Sequence, residues 1–143
     1  MASALCLNPD RPLIRHRPIY AIPCDERYFV EVRSWYPSYR GAADYITSTR
    51  CRRIGLWTGW NDWEYPLWAF LRDRSRDAVE IRHVQVANAS ATMARTERSA
   101  FSPCVLVYVK HWGSRSTFRI PTGFARVWQK DSITIFRPVM SEP

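Results

Sequence analysis

The chain has 143 residues, 46% of them hydrophobic, and a formal net charge of +8 at pH 7. Its length suits one ordinary globular domain, and its hydrophobic fraction argues against intrinsic disorder. No apolar run approaches the roughly 18 residues that a membrane-spanning helix requires, and the N-terminus is too polar for a secretory signal. The composition therefore predicts a soluble domain with a single core.

Arginine supplies almost all of the positive charge, because Lys110 and Lys130 are the only lysines. The guanidinium group binds phosphates and carboxylates, so the charge is typical of a chain with anionic partners: phospholipid headgroups, nucleic acid or a phosphate-bearing substrate. A GC-rich coding sequence, which favours arginine codons, is the alternative explanation. The arginines are spread along the chain rather than massed in one run, so nucleic acid is the least expected partner.

The four cysteines, Cys6, Cys24, Cys51 and Cys104, are far apart in the sequence. None has a second cysteine or a histidine at the spacing of zinc ligands, so no metal site is expected. An even number permits two disulfides, and the spacing does not decide whether they form. Cys51 and Cys104 each lie beside a predicted buried strand, where a free cysteine behaves as a small hydrophobic residue.

The first third of the chain predicts an irregular start, a short strand and a helix. Residues 1–18 contain prolines that interrupt regular structure, and residues 28–32 have the character of a short strand. From Pro37 to Ser48, apolar residues recur at spacings of three and four, which predicts an amphipathic helix that starts near the proline. We expect residues 19–143 to form a single α/β domain after the irregular segment.

A buried strand and a second helix are predicted on either side of a polar turn. The apolar run 53–58 is the strand. Pro66 is tolerated only in the first turn of a helix, so the helix should begin within residues 62–65. Asn61 and Glu64 have the spacing of a capping box, which favours the early start.

The second half of the chain predicts mainly strands. Residues 79–87 are rich in β-branched side chains, and residues 103–109 form the most apolar run and the expected centre of the sheet. Residues 89–96 between them have weak helical character. Segments with period-two alternation follow, and a Lys130-Asp131 turn joins the last two as an antiparallel hairpin. These segments are residues 118–120, 124–128 and 133–136.

The alternation of strands and helices predicts an α/β fold. Right-handed crossovers between successive strands give a mainly parallel sheet with helices on both faces, which is a three-layer Rossmann-like arrangement. The C-terminal hairpin adds an antiparallel edge to that sheet.

Motifs for nucleotide binding and for catalysis are missing from the sequence. With five glycines in the chain, neither a dinucleotide-binding nor a phosphate-binding glycine loop is present, so no cofactor is expected. No nucleophile with a histidine and an acid is recognisable, so the chain by itself is not expected to be an enzyme. Lys110 and His111 follow the predicted central strand and are candidates for an anion contact. The alternative is that both are solvated residues at a strand end.

The segment from Trp57 to Trp68 (Trp-Thr-Gly-Trp-Asn-Asp-Trp-Glu-Tyr-Pro-Leu-Trp) is the richest in chemical groups. It follows a predicted strand, so its first half should lie at the carboxyl edge of the sheet. Its acidic side chains could act as an acid and base pair, or bind sugar hydroxyls beside stacking tryptophan rings. The candidate ligand-binding residues of the segment are Trp60, Asp62, Trp63 and Glu64.

A structural role is the alternative for the same segment. Asp62 and Glu64 would complement the helix dipole while the following residues pack into the core from one helix face. Trp60 and Trp63 fit this explanation least well. The residues expected in the core are Tyr65, Leu67, Trp68 and Leu71.

The string Asp62-Trp-Glu-Tyr-Pro-Leu-Trp68, preceded by Ile54-Gly-Leu56, resembles part of a known family. It is similar to the C-terminal soluble region of polytopic bacterial glycosyltransferases of the dolichyl-phosphate-mannose mannosyltransferase-like kind. Weaker pieces fall in the same order and extend the resemblance over roughly residues 8–109. These pieces are Asn8-Pro-Asp-Arg-Pro-Leu13, Arg27-Tyr-Phe29, Tyr39, Ala42-Ala43, Cys51, Leu71, residues 83–90 and Pro103-Cys104.

The resemblance implies a domain that follows a bundle of transmembrane helices and projects on the extracytoplasmic side. Enzymes of this family transfer a sugar from a polyprenyl-phosphate donor, and their catalytic acids lie in an early loop between transmembrane helices. Asp62 and Glu64 match the tail string and not those acids, so no catalytic role is assigned to them. The expected partners are the upstream transmembrane region, a glycan acceptor and anionic lipid headgroups.

Three functions remain open on the sequence alone. The first is a non-catalytic accessory domain of a membrane glycosyltransferase that helps to bind the glycan acceptor or to organise the membrane-facing site. The second is a stand-alone interaction or homodimerisation module built on exposed aromatic residues. The third is a small basic nucleic-acid-binding protein, whose binding would weaken steeply with salt.

Overall fold

A computed structural model of the chain describes residues 18–58, 63–74, 78–84, 101–110 and 120–139. The chain divides into two compact units, residues 1–37 and 38–143. The predicted helix at 89–96 and most of the predicted irregular segment 1–18 lie outside the described residues, so both remain predictions. Ile120, the described end of the predicted strand 118–120, is not in a strand.

The described part of the first unit contains three short 3₁₀ helices. A carboxylate oxygen of Asp25 accepts a hydrogen bond from the backbone N–H of Glu26 (3.1 Å), which starts the second of them. The buried ring of Phe29 meets the ring of Tyr36 edge-on, with centroids 5.7 Å apart. The strand predicted at 28–32 is therefore wrong, because local turn hydrogen bonds satisfy this backbone instead of a neighbouring strand. The three helices are Ile19–Ala21, Glu26–Phe29 and Arg33–Trp35.

Two α-helices and five strands follow in the described residues. Both helices, the strand at 53–58, the strand near 103–109 and the C-terminal hairpin are confirmed. The strand predicted at 79–87 is confirmed in its first half, and residues 85–87 lie outside the described part. In chain order the elements are α1 (Tyr36–Ser48), β1 (Arg53–Thr58), α2 (Tyr65–Arg74), β2 (Glu80–His83), β3 (Val105–Val109), β4 (Phe124–Lys130) and β5 (Ile133–Pro138).

The strands form one sheet in the order β2-β1-β3-β5-β4. β1 is parallel to β2 and β3, while β5 is antiparallel to β3 and β4, so the sheet is mixed rather than mainly parallel. The predicted α/β class and the antiparallel hairpin at the edge are confirmed. The hairpin turns at Asp131, whose φ of 47° is left-handed, a conformation that aspartate tolerates better than most residues. Buried Ser38 of α1 donates a hydrogen bond to the Asp131 carboxylate and so ties the helix start to this turn.

Most buried strand residues lie on one face of the sheet, while Leu106 (3% exposed) and Phe136 (1% exposed) are buried on the other. Alternating residues of β1, β3 and β5 point to the first face and are almost fully buried. α1 covers the face at β4, where the ring of Tyr45 stacks on Trp128 with centroids 6.4 Å apart. Arg74 of α2 binds Asp44 of α1 (Nε to Oδ1, 2.7 Å), so the two helices lie side by side. The buried strand residues are Ile54, Leu56, Val105, Val107, Val109, Ile133 and Ile135.

Both described α-helices lie on this same face. The sheet register places Trp128, which contacts α1, opposite Ile135. The same register places His83, which binds Glu64 at the start of α2, opposite Leu56. Leu106 and Phe136 are buried on the opposite face, and residues 85–100 between β2 and β3 lie outside the described residues.

A disulfide joins Cys51 and Cys104, whose Cα atoms are 5.8 Å apart. The backbone N–H of Cys104 donates to the carbonyl of Arg53 (3.0 Å), so the cross-link lies at the amino ends of the neighbouring strands β1 and β3. The sequence leaves the disulfide state of the four cysteines open, and the structure joins Cys51 to Cys104. Strand register decides which cysteines meet, and sequence spacing does not reveal that register. Closing a loop of this length contributes about 4 kcal/mol through the lost entropy of the unfolded chain.

Candidate functional site

Three parallel strands bring their carboxyl ends to one edge of the sheet. β2 ends at His83, β1 at Thr58 and β3 at Val109, and β1 is the middle strand. We define the carboxyl edge as these three strand ends together with two described residues beside them, Glu64 and Lys110. Ligands of open α/β sheets bind outside the carboxyl ends of the strands, so this edge is the first place to look for a site.

Glu64 and His83 form a close pair at the carboxyl edge. Oε2 of Glu64 lies 2.9 Å from Nε2 of His83, and the two side chains are 38% and 43% exposed. A ligand can therefore reach the pair, while the surrounding protein shields half of each side chain from water. A carboxylate beside an imidazole offers oxygen acceptors and a ring N–H donor within one hydrogen-bond distance.

The backbone fixes Glu64 at the start of α2. Its carbonyl accepts hydrogen bonds from the N–H groups of Leu67 (3.0 Å) and Trp68 (3.3 Å), so Glu64 is the residue just before the helix. The predicted capping box is therefore wrong, because it requires Asn61 to be the cap and Glu64 to lie three positions inside the helix. The helix begins at Tyr65, within the predicted range 62–65, and Pro66 lies in its first turn as predicted.

The predicted site residues fall into two groups. Trp63 and Glu64 are half-buried, and Lys110 is exposed directly after β3. Glu64 reaches the β2 side of the carboxyl edge and Lys110 lies on the β3 side, with β1 between them. The backbone N–H of Lys110 donates to the carbonyl of Ser132 (2.7 Å), which holds its position against the hairpin. Trp60, Asp62 and His111 lie outside the described residues.

His83 is the site residue that the sequence interpretation missed. It lies in a run of strand residues, so nothing in its neighbourhood along the chain distinguishes it from a strand surface residue. Its pairing with Glu64 depends on the parallel register that sets His83 beside Leu56, on the face that the helices cover. Period-two alternation together with a parallel register would have placed it there, and the register is the part that the sequence does not supply.

The predicted core residues of helix α2 are confirmed at Leu67 and Leu71 and wrong at Tyr65 and Trp68. Tyr65 is 65% exposed and Trp68 is 39% exposed, so their predicted place in the core is wrong. A helix turns about 100° per residue, which puts the buried residues together on the side opposite these two rings. The helix is apolar over most of its circumference, so periodicity alone does not select the inner face. The buried residues are Pro66, Leu67, Phe70 and Leu71.

The described residues contain no group of three His, Cys, Asp or Glu side chains that could hold a metal ion. Cys51 and Cys104 are bonded to each other, so neither is a thiol nucleophile. The chemistry available at the carboxyl edge is hydrogen bonding by Glu64 and His83, which suits recognition of a polar ligand.

Comparisons with protein-family models, with curated proteins and with solved structures find no match to this chain. Among the described residues, no helix has the length and apolar character needed to cross a membrane.

Proposed function

We propose that this chain is a non-catalytic accessory domain of an extracytoplasmic membrane glycosyltransferase, and that its carboxyl edge binds the glycan acceptor. The observation that carries the proposal is the half-exposed pair of Glu64 and His83, whose side chains are 2.9 Å apart. Trp63 is the residue before Glu64 in the chain. The resemblance of the string 62–68 to the tail of such transferases supports the enzyme context.

The pair has the chemistry that sugar recognition needs. Nε2 of His83 and Oε2 of Glu64 hold each other, which leaves Oε1 of Glu64 and Nδ1 of His83 to form hydrogen bonds with neighbouring hydroxyls of one sugar ring. Carbohydrate rings also expose C–H faces that stack on aromatic side chains, and Trp63 precedes Glu64 in the chain. Because the carbonyl of Glu64 is held by two amide groups of α2, the carboxylate starts from a fixed position.

The disulfide supports an extracytoplasmic location. Disulfides persist in oxidising compartments and are rare in the cytosol, where thiols are kept reduced. The bond between Cys51 and Cys104 joins two strands of the same sheet, and its residues are only partly exposed. Alkylation of the native and the reduced protein followed by mass spectrometry should find these two cysteines protected until reduction, whereas exposed Cys24 should react at once.

We also propose the three-layer arrangement for the complete sheet unit. In the sheet, β2 and β3 lie on opposite sides of β1. The connection from β1 to β2, which carries α2, therefore crosses the sheet in one direction, and the connection from β2 to β3 crosses it in the other. Right-handed connections then put the second crossover on the other face of the sheet. Residues 85–100 would supply that third layer.

Titration with a panel of oligosaccharides tests the glycan role. We expect the NMR signals of the Trp63 indole and the His83 ring to move, and Trp63→Phe identifies the indole signal. Glu64→Gln should weaken binding about tenfold, the loss expected for one hydrogen bond to a charged group. Glu80→Gln is the matched control, because Glu80 is a carboxylate of β2 that pairs with Arg82 (2.7 Å) instead. If no oligosaccharide moves these signals, the glycan role is wrong.

A further inference from the structure

The outer face of α2 carries side chains that are unusual for a solvated helix. We define this face by Tyr65, Trp68 and Arg72, which are all exposed and lie within about 60° of one another around the helix axis. Asp73 is exposed on its flank. The inner face packs Leu67, Phe70 and Leu71 into the core and is fully accounted for by the fold. On the outer face the rings of Tyr65 and Trp68 remain 65% and 39% exposed.

We propose that the outer face of α2 is a docking surface for a membrane that contains anionic lipid. Tyrosine and tryptophan combine an apolar ring with a polar tip, which is the chemistry of the membrane–water interface. Arginine binds lipid phosphate through its planar fork. The three side chains therefore match the headgroup layer: two rings between lipid headgroups and one guanidinium on a phosphate.

Charge favours this occupant over a second copy of the chain. The net charge of +8 attracts the chain to an anionic surface and opposes self-association through the same face. The area points the same way. At their observed exposures the two rings offer roughly 200 Å², whereas a stable dimer buries about 800 Å² on each partner. A membrane needs no matching surface of that size.

The inference goes beyond the glycan proposal, because it involves a different surface. The carboxyl edge uses the carboxylate of Glu64 and the ring of His83, and the outer face of α2 uses neither. Glu64→Gln removes a negative charge, so it should not lower binding to an anionic membrane even where it weakens glycan binding. Failure of one proposal leaves the other standing.

Vesicle flotation of the complete 143-residue chain tests the inference. The chain should bind vesicles of phosphatidylcholine with phosphatidylglycerol at low salt, and it should not bind phosphatidylcholine alone. Trp68→Ala and Tyr65→Ser should each lower the vesicle partition coefficient about tenfold, in proportion to the apolar area that no longer inserts. Arg72→Ala should lower it about fivefold, the factor for one basic residue near an anionic surface.

Matched controls separate the surface from general charge and from folding. Tyr20→Ser changes another exposed tyrosine (72%), and Arg40→Ala changes an exposed arginine of α1, so neither should alter binding by more than about twofold. Tyr65→Ser keeps the core intact and remains informative if Trp68→Ala unfolds the chain. Absence of binding to anionic vesicles would overturn the proposal. Equal losses with Arg40→Ala and Arg72→Ala, or a dimer that Tyr65→Ser dissolves, would overturn it as well.

Discussion

The two α-helices lie side by side on one face of the sheet, yet they present different surfaces to solvent. The outer side of α1 carries Arg40 and Asp44, four residues apart with their charged atoms at 4.0 Å, and Asp44 also binds Arg74 at 2.7 Å. The outer side of α2 carries two aromatic rings and Arg72. α1 is thus solvated in the ordinary way, whereas the outer side of α2 has the composition of a contact surface.

The helices also differ in how their first turns are held. At α1, fully buried Ser38 donates to the carboxylate of Asp131 in the hairpin turn. At α2, half-exposed Glu64 pairs with half-exposed His83. A hydrogen bond from a fully buried hydroxyl to a charged group contributes more to stability than an exposed pair, because removing the acceptor leaves the buried hydroxyl without water. The start of α1 is therefore built for stability, and the start of α2 leaves its polar groups available to a ligand.

The largest expected effect separates the two sides of α2. Phe70→Ala should lower the free energy of unfolding by about 4 kcal/mol, because it leaves a cavity beneath a ring that is 1% exposed. Trp68→Ala should cost only about 1 kcal/mol, because that ring is already partly in water. Urea denaturation followed by circular dichroism measures both. Equal losses would mean that Trp68 belongs to the core, as the sequence pattern predicted, and the contrast between the helices would disappear.

The pair of helices also shows where sequence patterns suffice. In α1, apolar Tyr39, Ala43 and Ile46 alternate with charged residues, so the buried face is readable and was predicted. In α2, apolar residues occupy both sides, so the pattern predicted Tyr65 and Trp68 in the core and omitted Phe70. Burial there is decided by the position of α2 on the sheet, which no local pattern contains.

The candidate site was predictable in part for a related reason. Residues that follow a strand go to the carboxyl edge whatever the register, so Glu64 and Lys110 were found from chain order alone. His83 and the disulfide were not, because each requires knowing which residues of two parallel strands lie opposite each other. The strand predicted at 28–32 is wrong for a local reason. Its apolar composition suits a strand, but hydrogen bonds between residues close in the chain form a 3₁₀ helix that ends at Phe29.

A smaller effect should separate the two helix starts. Asp131→Ala removes the acceptor of the Ser38 hydrogen bond and puts alanine at a left-handed φ, so the free energy of unfolding should fall by about 2 kcal/mol. Asp131→Asn keeps an acceptor and tolerates that φ, so it should restore most of the loss. Glu64→Gln at the other helix should cost less than about 1 kcal/mol. Thermal and urea unfolding of the three variants would contradict the comparison if the Glu64 variant were the least stable.

The smallest expected effect concerns the ion pair between the helices. Asp44 is 55% exposed and its partner Arg74 is 22% exposed, so water and salt screen most of their attraction. Asp44→Asn should lower the free energy of unfolding by about 0.5 kcal/mol at low salt, and the difference should vanish at high salt. Arg74 also lies over the ring of Phe70, with its guanidinium carbon 4.8 Å from the ring centroid, so Arg74→Ala should cost more than Asp44→Asn and keep that excess at high salt. Equal losses for the two variants that both vanish at high salt would mean that the ion pair with Asp44 accounts for the whole contribution of Arg74 and that its packing on the Phe70 ring adds nothing.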